Sequence, residues 1–352
     1  MMLVKFNIEK IVFYLFLLFT FLFLSQFVSQ QYQRKIVIPN RTDRVNLHTA
    51  ILHKTANSPY RYRILYPALT GMILHSPIKP NFLNIDSLGS GFNSKNYTTE
   101  EKNLIEAWYF LDTLSFFLSF LLIYLFLRNL GIIYGLLSTF IMVFAFNAVL
   151  IGHAYQPWSI FEAFIFPAAF LLARKIGLKK DLKYLLIYCV ISVVAVLNRE
   201  TGIFISLFIF LQFLCEKKVL KYKLFSFTPL IISGMILLFL HILRGNANPE
   251  ITLVQIFHAN LQGANLYLFK YEAFNFLNFF WIIAILGIFK FSTKLLKYNL
   301  MILLYIPFYL IFGIWAEMRL WIPFLSIFIL NGFSVIKYFE NKKELVKILK
   351  QY

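Results

Sequence analysis

Acidic side chains are scarce in this sequence, with 16 Asp and Glu against 34 Lys and Arg, and charged residues of both signs fill only 14% of its 352 positions. A chain this long needs more charge on its surface to live in water, so a soluble enzyme is excluded. Cysteine is sparser still. Cys189 and Cys215 both lie in apolar runs, which leaves no disulfide framework to brace an outer loop. The six histidines lack His-x-x-His or His-Glu-x-x-His spacing, so none marks a zinc site. No Walker A sequence occurs, and Gly89-Ser-Gly91 has no strand-to-helix context and reads as a turn. No internal repeat, low-complexity tract or soluble domain is visible.

What the sequence has instead is apolar mass: 60% hydrophobic residues, 42 of them Phe, and a mean hydropathy of +0.71. Apolar runs recur at 11–29, 106–127, 131–151, 157–174, 183–197, 201–215, 224–243, 274–290, 298–315 and 320–337. A helix crosses the hydrocarbon core in about 20 residues, so the expected fold is all-α and polytopic, a single transmembrane domain over 1–352 with about ten spans. The first run is expected to be a retained helix rather than a signal peptide. The pair 183–197 and 201–215 is short, with Asn198-Arg199-Glu200-Thr201 at its junction, and reads as a tight outer hairpin or two broken helices.

The formal charge of +18 is read as a question of membrane sidedness, not as a nucleic-acid signal. With the N-terminus inside, Lys and Arg cluster in every second connection: Arg128, then 174–183, 217–223, 290–297 and the tail from Lys337 to Lys350. The alternate short loops are nearly free of Lys. The expected location is thus integral to a membrane, with both termini cytoplasmic. Two longer segments, 30–104 and 244–273, fall on the outer face. Within the first, Tyr62 to Ser76 is too short to span, carries Leu65, Leu69 and Met72 at helical spacing, and is expected to form an interfacial or re-entrant helix. Glu100-Glu101 reads as a solvated helix start.

Ionisable residues in or beside apolar spans are costly and therefore functional candidates. Glu106, Asp112, His153, Glu162, Arg199, Glu200, Glu317 and Arg319 all fall in the outer half of the expected bilayer or at its outer surface. Arg199, Arg319 and the loop residues Arg61 and Arg63 suit an anionic ligand, because guanidinium donors match phosphate oxygens in pairs. The carboxylates Asp43, Glu106, Glu200 and Glu317 would hold those arginines, bind a divalent metal or take a proton from a hydroxyl. The competing reading is that Arg199-Glu200 and Glu317-x-Arg319 are helix-end charges that snorkel and pair locally.

Three segments, Pro59-Tyr-Arg-Tyr-Arg-Ile-Leu-Tyr-Pro67, Asn198-Arg-Glu-Thr-Gly202 and Ala316-Glu-Met-Arg-Leu-Trp-Ile-Pro323, together with a first span and a large outer loop, resemble the bacterial membrane proteins of the GT-C superfamily of polyprenol-dependent glycosyltransferases. The likeness covers nearly the whole chain in layout and these three short motifs in sequence. It implies a membrane enzyme of the bacterial inner membrane that moves a sugar from a polyprenyl-phosphate carrier to an acceptor on the outer face, using an acidic residue of the first outer loop. On that reading Asp43, Glu200 and Glu317 are the catalytic candidates, and Arg61, Arg63, Glu106, His153, Arg199 and Arg319 bind substrate, with Arg199 and Arg319 on the phosphate. The sequence departs from the superfamily in offering Asp43 alone where an acidic pair is usual, so no metal ligand set is assigned and cofactors stay open. Asp43 is flanked by Arg41 and Arg44, cations that favour its ionised form and weaken it as a base unless burial compensates. An envelope polysaccharide polymerase or ligase, and a lipid-linked sugar transporter or flippase, are the competing functions. A flippase calls for polar or Gly/Pro breaks at the midplane, where this chain is almost purely Phe, Leu and Ile.

Overall fold

The computed structural model describes residues 43–57, 60, 63–76, 98–132, 157–179, 182–215, 224–245, 253–262, 280–291, 293–312 and 318–340, with isolated positions between 15 and 26. Among them the architecture is all-α: eleven α-helices, two 3-10 segments and no strand. In chain order the helices are α1 (Asp43–Leu52), α2 (Leu65–Leu74), α3 (Thr99–Asn129), α4 (Pro157–Lys179), α5 (Leu182–Asn198), α6 (Ile203–Cys215), α7 (Thr228–Arg244), α8 (Leu253–Leu261), α9 (Phe280–Lys290), α10 (Leu296–Phe312) and α11 (Leu325–Glu340). Two stretches are long and apolar enough to cross a membrane, Thr99–Asn129 and Leu320–Phe339. Six further apolar helices are shorter. Most of the expected first span and all of 133–156 lie outside the described residues.

The boundaries of α3 follow from its ends. Thr98 accepts a hydrogen bond from the Glu101 backbone N–H, and the Glu101 carboxylate accepts one from the Thr98 N–H, a reciprocal cap that satisfies two N–H groups the helix itself leaves open. Glu100 and Glu101 thus open a helix, as expected. At the other end Gly131 adopts φ 67°, and the Ile132 and Gly131 N–H groups donate back to the Leu127 and Arg128 carbonyls. That closure needs a left-handed residue, which glycine supplies without Cβ strain.

α3 lies along α4, α4 along α5, and α5 along α7, while α9 packs against α11. The shared core is aromatic. Phe170 meets Phe208 at 4.5 Å between ring centroids, Phe208 stacks on Tyr298 at 5.4 Å, and Phe324 meets Tyr305 at 4.5 Å. Each such pair contributes roughly 0.5–1.5 kcal/mol beyond the area it buries. These contacts tie α4, α6 and α10 to the 3-10 segment Met318–Phe324, which also lies against α4.

The bundle has two chemically different ends. At one, Lys337 donates to the Gly131 carbonyl at 2.6 Å, Arg174 donates to the Asn129 carbonyl, and Lys290 sits 5.1 Å over the Tyr338 ring. Cations from α4 and α11 thereby meet the carbonyl-rich end of α3, where its dipole favours positive charge. Arg174 follows Glu162 by twelve residues of α4, or about 18 Å of helix, so Glu162 belongs to the opposite end.

That opposite end carries α1 and α2 of the first long loop. α2 packs on α3 and α5, burying Tyr66, Pro67 and Thr70. Pro67 is the third residue of α2 and stays within its first turn, where a missing N–H breaks no helical bond. The hairpin of α1 and α2 is fastened at separate points: Tyr66 donates its hydroxyl to Asp112 Oδ1 of α3 at 2.6 Å, Arg244 of α7 donates to the Ile51 carbonyl at 2.9 Å, and His48 meets the Trp108 ring edge-on at 5.6 Å.

Candidate functional site

Where α5 ends, the chain turns through the 3-10 segment Glu200–Gly202 into α6. The turn is tight for a steric reason. Gly202 lies so close to the Ala195 carbonyl and Val196 nitrogen that any Cβ would overlap the backbone of α5. Its N–H donates to the Arg199 carbonyl at 2.9 Å, and the Tyr188 hydroxyl ties α5 to α6 by donating to the Ile205 carbonyl at 2.6 Å. Arg199 itself is extended, φ −162° and ψ 149°, so its side chain and that of Glu200 leave the chain on different sides.

The two side chains find different partners. Arg199 Nη1 donates to Glu162 Oε2 of α4 at 3.2 Å, and the Thr201 hydroxyl donates to the other oxygen, Oε1. One carboxylate thus receives the Arg199 and Thr201 side chains of the turn, in a setting where Glu162 and Arg199 are almost wholly buried. Glu200 instead pairs with Arg63, just before α2, with Nη2 and Oε2 3.5 Å apart. Arg63 is buried beneath the Tyr60 ring, 4.7 Å from its centroid, whereas the Glu200 side chain retains 28% exposure. Burial lowers the Arg63 pKa from its ordinary value, Glu200 pushes it back up, and Arg199 lowers it further. An arginine starts so high that it stays protonated at neutral pH.

The result is a cluster of two guanidinium and two carboxylate groups drawn from three segments about 40 to 140 residues apart in sequence, with formal charges that cancel. The adjacent charges of Arg199-Glu200 do not pair with each other, as a local snorkelling arrangement would have them do. Arg199 reaches α4, and Glu200 reaches the segment just before α2.

Of the residues expected in a site, Arg63, Arg199 and Glu200 come together. Glu106 lies half-buried on α3, outside these two ion pairs. Asp43 is the first residue of α1 and Arg319 lies in the 3-10 segment Met318–Phe324; only their backbone is described. Arg61, His153 and Glu317 lie outside the described residues. The 3-10 segment nevertheless joins the same region through its ring contacts. Phe324 meets Phe166, one turn along α4 from Glu162, at 5.6 Å, and Phe204, two residues after Gly202, at 5.9 Å.

Thr201 completes the site without having been singled out from sequence, and Glu162, a candidate there by its position alone, was given no role. Glu162 does carry a signal: a carboxylate inside the apolar stretch that begins α4 must find a donor, and the polar turn at 199–201 is a source of donors. Tyr66 carries none, because an aromatic on a short apolar helix is ordinarily packing. Among the described residues no three His, Cys, Asp or Glu side chains gather as a set that would hold a metal ion. Comparison of the chain with known protein families, curated proteins and solved structures finds no match.

Proposed function

We propose that the chain is a polytopic membrane protein of about ten spans in a bacterial inner membrane, with both termini cytoplasmic. On this reading it transfers a sugar from a polyprenyl-phosphate carrier to an acceptor on the extracytoplasmic face. Membrane residence is supported by apolar surface that water would not tolerate. On α7, Ile231, Met235, Leu238 and Ile242 recur at helical spacing and are each about 60% exposed. The sidedness is supported by the separation of the basic end from the end that carries Arg63, Arg199, Glu162 and Glu200.

The observation that carries the enzymatic reading is the Arg63–Glu200 and Arg199–Glu162 cluster beside the start of α2, with both arginines and Glu162 buried. Ionised groups at such a depth are expensive to keep, and a chemistry that develops charge there accounts for them. In the proposed reaction an acceptor hydroxyl gives its proton to a carboxylate, with Glu200, Asp43 and Glu317 as the candidates. Its oxygen bonds to the anomeric carbon as the bond from that carbon to the carrier phosphate breaks. The departing phosphate takes the electron pair, and Arg63, with Arg319 from the neighbouring segment, receives its charge.

Transfer from a polyprenyl-phosphate sugar by purified protein in liposomes tests the reading. Arg63→Ala and Arg319→Ala are each expected to lose roughly 30- to 1000-fold in turnover, the scale of one preorganised donor to a developing anion. Undiminished transfer in both variants, or no transfer from any polyprenyl-phosphate sugar, would refute it.

A further inference from the structure

The two arginine–carboxylate pairs differ in a way that decides which of them a ligand can open. Glu162 has both oxygens engaged, by Arg199 and Thr201, and its side chain is 1% exposed. Taking Arg199 away would strand a carboxylate with no water to solvate it, at a cost of several kcal/mol. Glu200 stands otherwise. Its Oε2 lies 3.5 Å from Arg63, well beyond the 2.7–2.9 Å of a charge-assisted hydrogen bond. Its Oε1 is buried and meets no hydrogen-bond donor among the described residues. That buried oxygen is already without a donor while the side chain as a whole keeps 28% exposure, so turning away from Arg63 moves the carboxylate toward solvent rather than deeper into the protein. Arg63 itself remains a buried cation whichever anion it faces, and a buried cation requires one.

We infer that Glu200 stands in the place of an anionic ligand on Arg63, and that a phosphate group binds by displacing it while Arg199 stays fixed to Glu162. The assignment rests on the phosphate chemistry proposed above and divides the labour within it. Arg63 is the exchangeable phosphate receptor, Glu200 its internal competitor, and Arg199 a positioning residue that fixes the turn from which Glu200 projects. Displacement leaves Glu200 beside the bound phosphate as an unengaged carboxylate, the state in which it would accept a proton.

Equilibrium binding to the purified full-length chain in a non-ionic detergent tests this with three probes: farnesyl monophosphate, inorganic phosphate and uncharged farnesol. Glu200→Gln removes the competing charge and is expected to tighten farnesyl phosphate about fivefold, the scale of a partly exposed ion pair. Glu200→Asp pulls the carboxylate back by one methylene and is expected to tighten it about twofold, which keeps the comparison available if the Gln variant does not fold. Arg63→Ala is expected to weaken binding at least tenfold. Glu100→Gln removes an exposed charge at the start of α3 and is expected to change nothing, separating local displacement from a general gain in anion affinity. Unchanged or weaker binding in both Glu200 variants, with Arg63→Ala still impaired, overturns the displacement while the phosphate reading stands. Absence of phosphate-dependent binding in wild type and variants overturns both. Equal affinity for inorganic and farnesyl phosphate, tightened alike by Glu200→Gln, upholds the displacement and assigns the site to a free anion instead of a lipid headgroup.

Discussion

The Arg199–Glu162 pair offers the sharpest thermodynamic test, because its burial sets the sign and size of three outcomes together. The side chains are 6% and 1% exposed, and the carboxylate also accepts from Thr201. Arg199→Met keeps the volume and removes the cation, leaving Glu162 with a single hydroxyl donor. Removal of one partner from a buried pair costs about 3–5 kcal/mol, with Thr201 holding the figure toward the lower end. Glu162→Leu strands the guanidinium and falls in the same range. The double variant strands nothing, and replacement of a buried ion pair by apolar groups of similar volume is often close to neutral. The two single losses should therefore fail to add by several kcal/mol. At roughly 2 °C per kcal/mol for a chain of this size, each single variant should lower the thermal midpoint by about 6–10 °C and the double variant by much less. Tryptophan fluorescence in detergent at one fixed scan rate measures this ranking even where unfolding is irreversible. Additivity within about 0.5 kcal/mol, or single losses below about 1 kcal/mol, would show two independent solvated charges and refute the buried pair.

Three other outcomes follow from particular contacts. Gly202→Ala places a Cβ inside the backbone of Ala195 and should cost at least 1–3 kcal/mol, roughly, while weakening phosphate binding through the displaced turn; a midpoint within 1 °C or so of wild type would contradict that close approach. Thr98→Ala removes one side of the reciprocal cap on α3 and should cost about 1 kcal/mol without changing sugar transfer, as a midpoint measurement beside the transfer assay would show. Cys215 is exposed at the end of α6, next to the expected cytoplasmic Lys217–Lys223 connection, and should react with an impermeant maleimide only when the inner face is opened; labelling of intact cells at Cys215 would invert the proposed orientation.

Helices were the legible part of this sequence, and the reason is that each is written in contiguous residues. The Glu100-Glu101 start and the apolar run at 106–127 locate α3 before anything is packed against it, while its closing residues Thr98 and Gly131 were identified only in the folded chain. The 198–202 turn was legible too, since four polar residues between two short apolar runs leave the chain little choice. Partnership across the bundle was not legible. Sequence adjacency joins Arg199 to Glu200, yet the extended backbone at Arg199 sends the two apart, one to α4 and the other to the segment before α2. That separation changes what the arginines can do. An arginine counted from sequence as a spare positive charge is, once folded against Glu162, already neutralised, so a high density of outer-face arginine does not by itself make an anion site. Capacity to bind an anion depends on which carboxylate can be released at small cost, and here the holding contacts decide it: Glu200 has a buried oxygen without a donor and a side chain that reaches solvent, whereas both oxygens of Glu162 are held and its side chain is closed off.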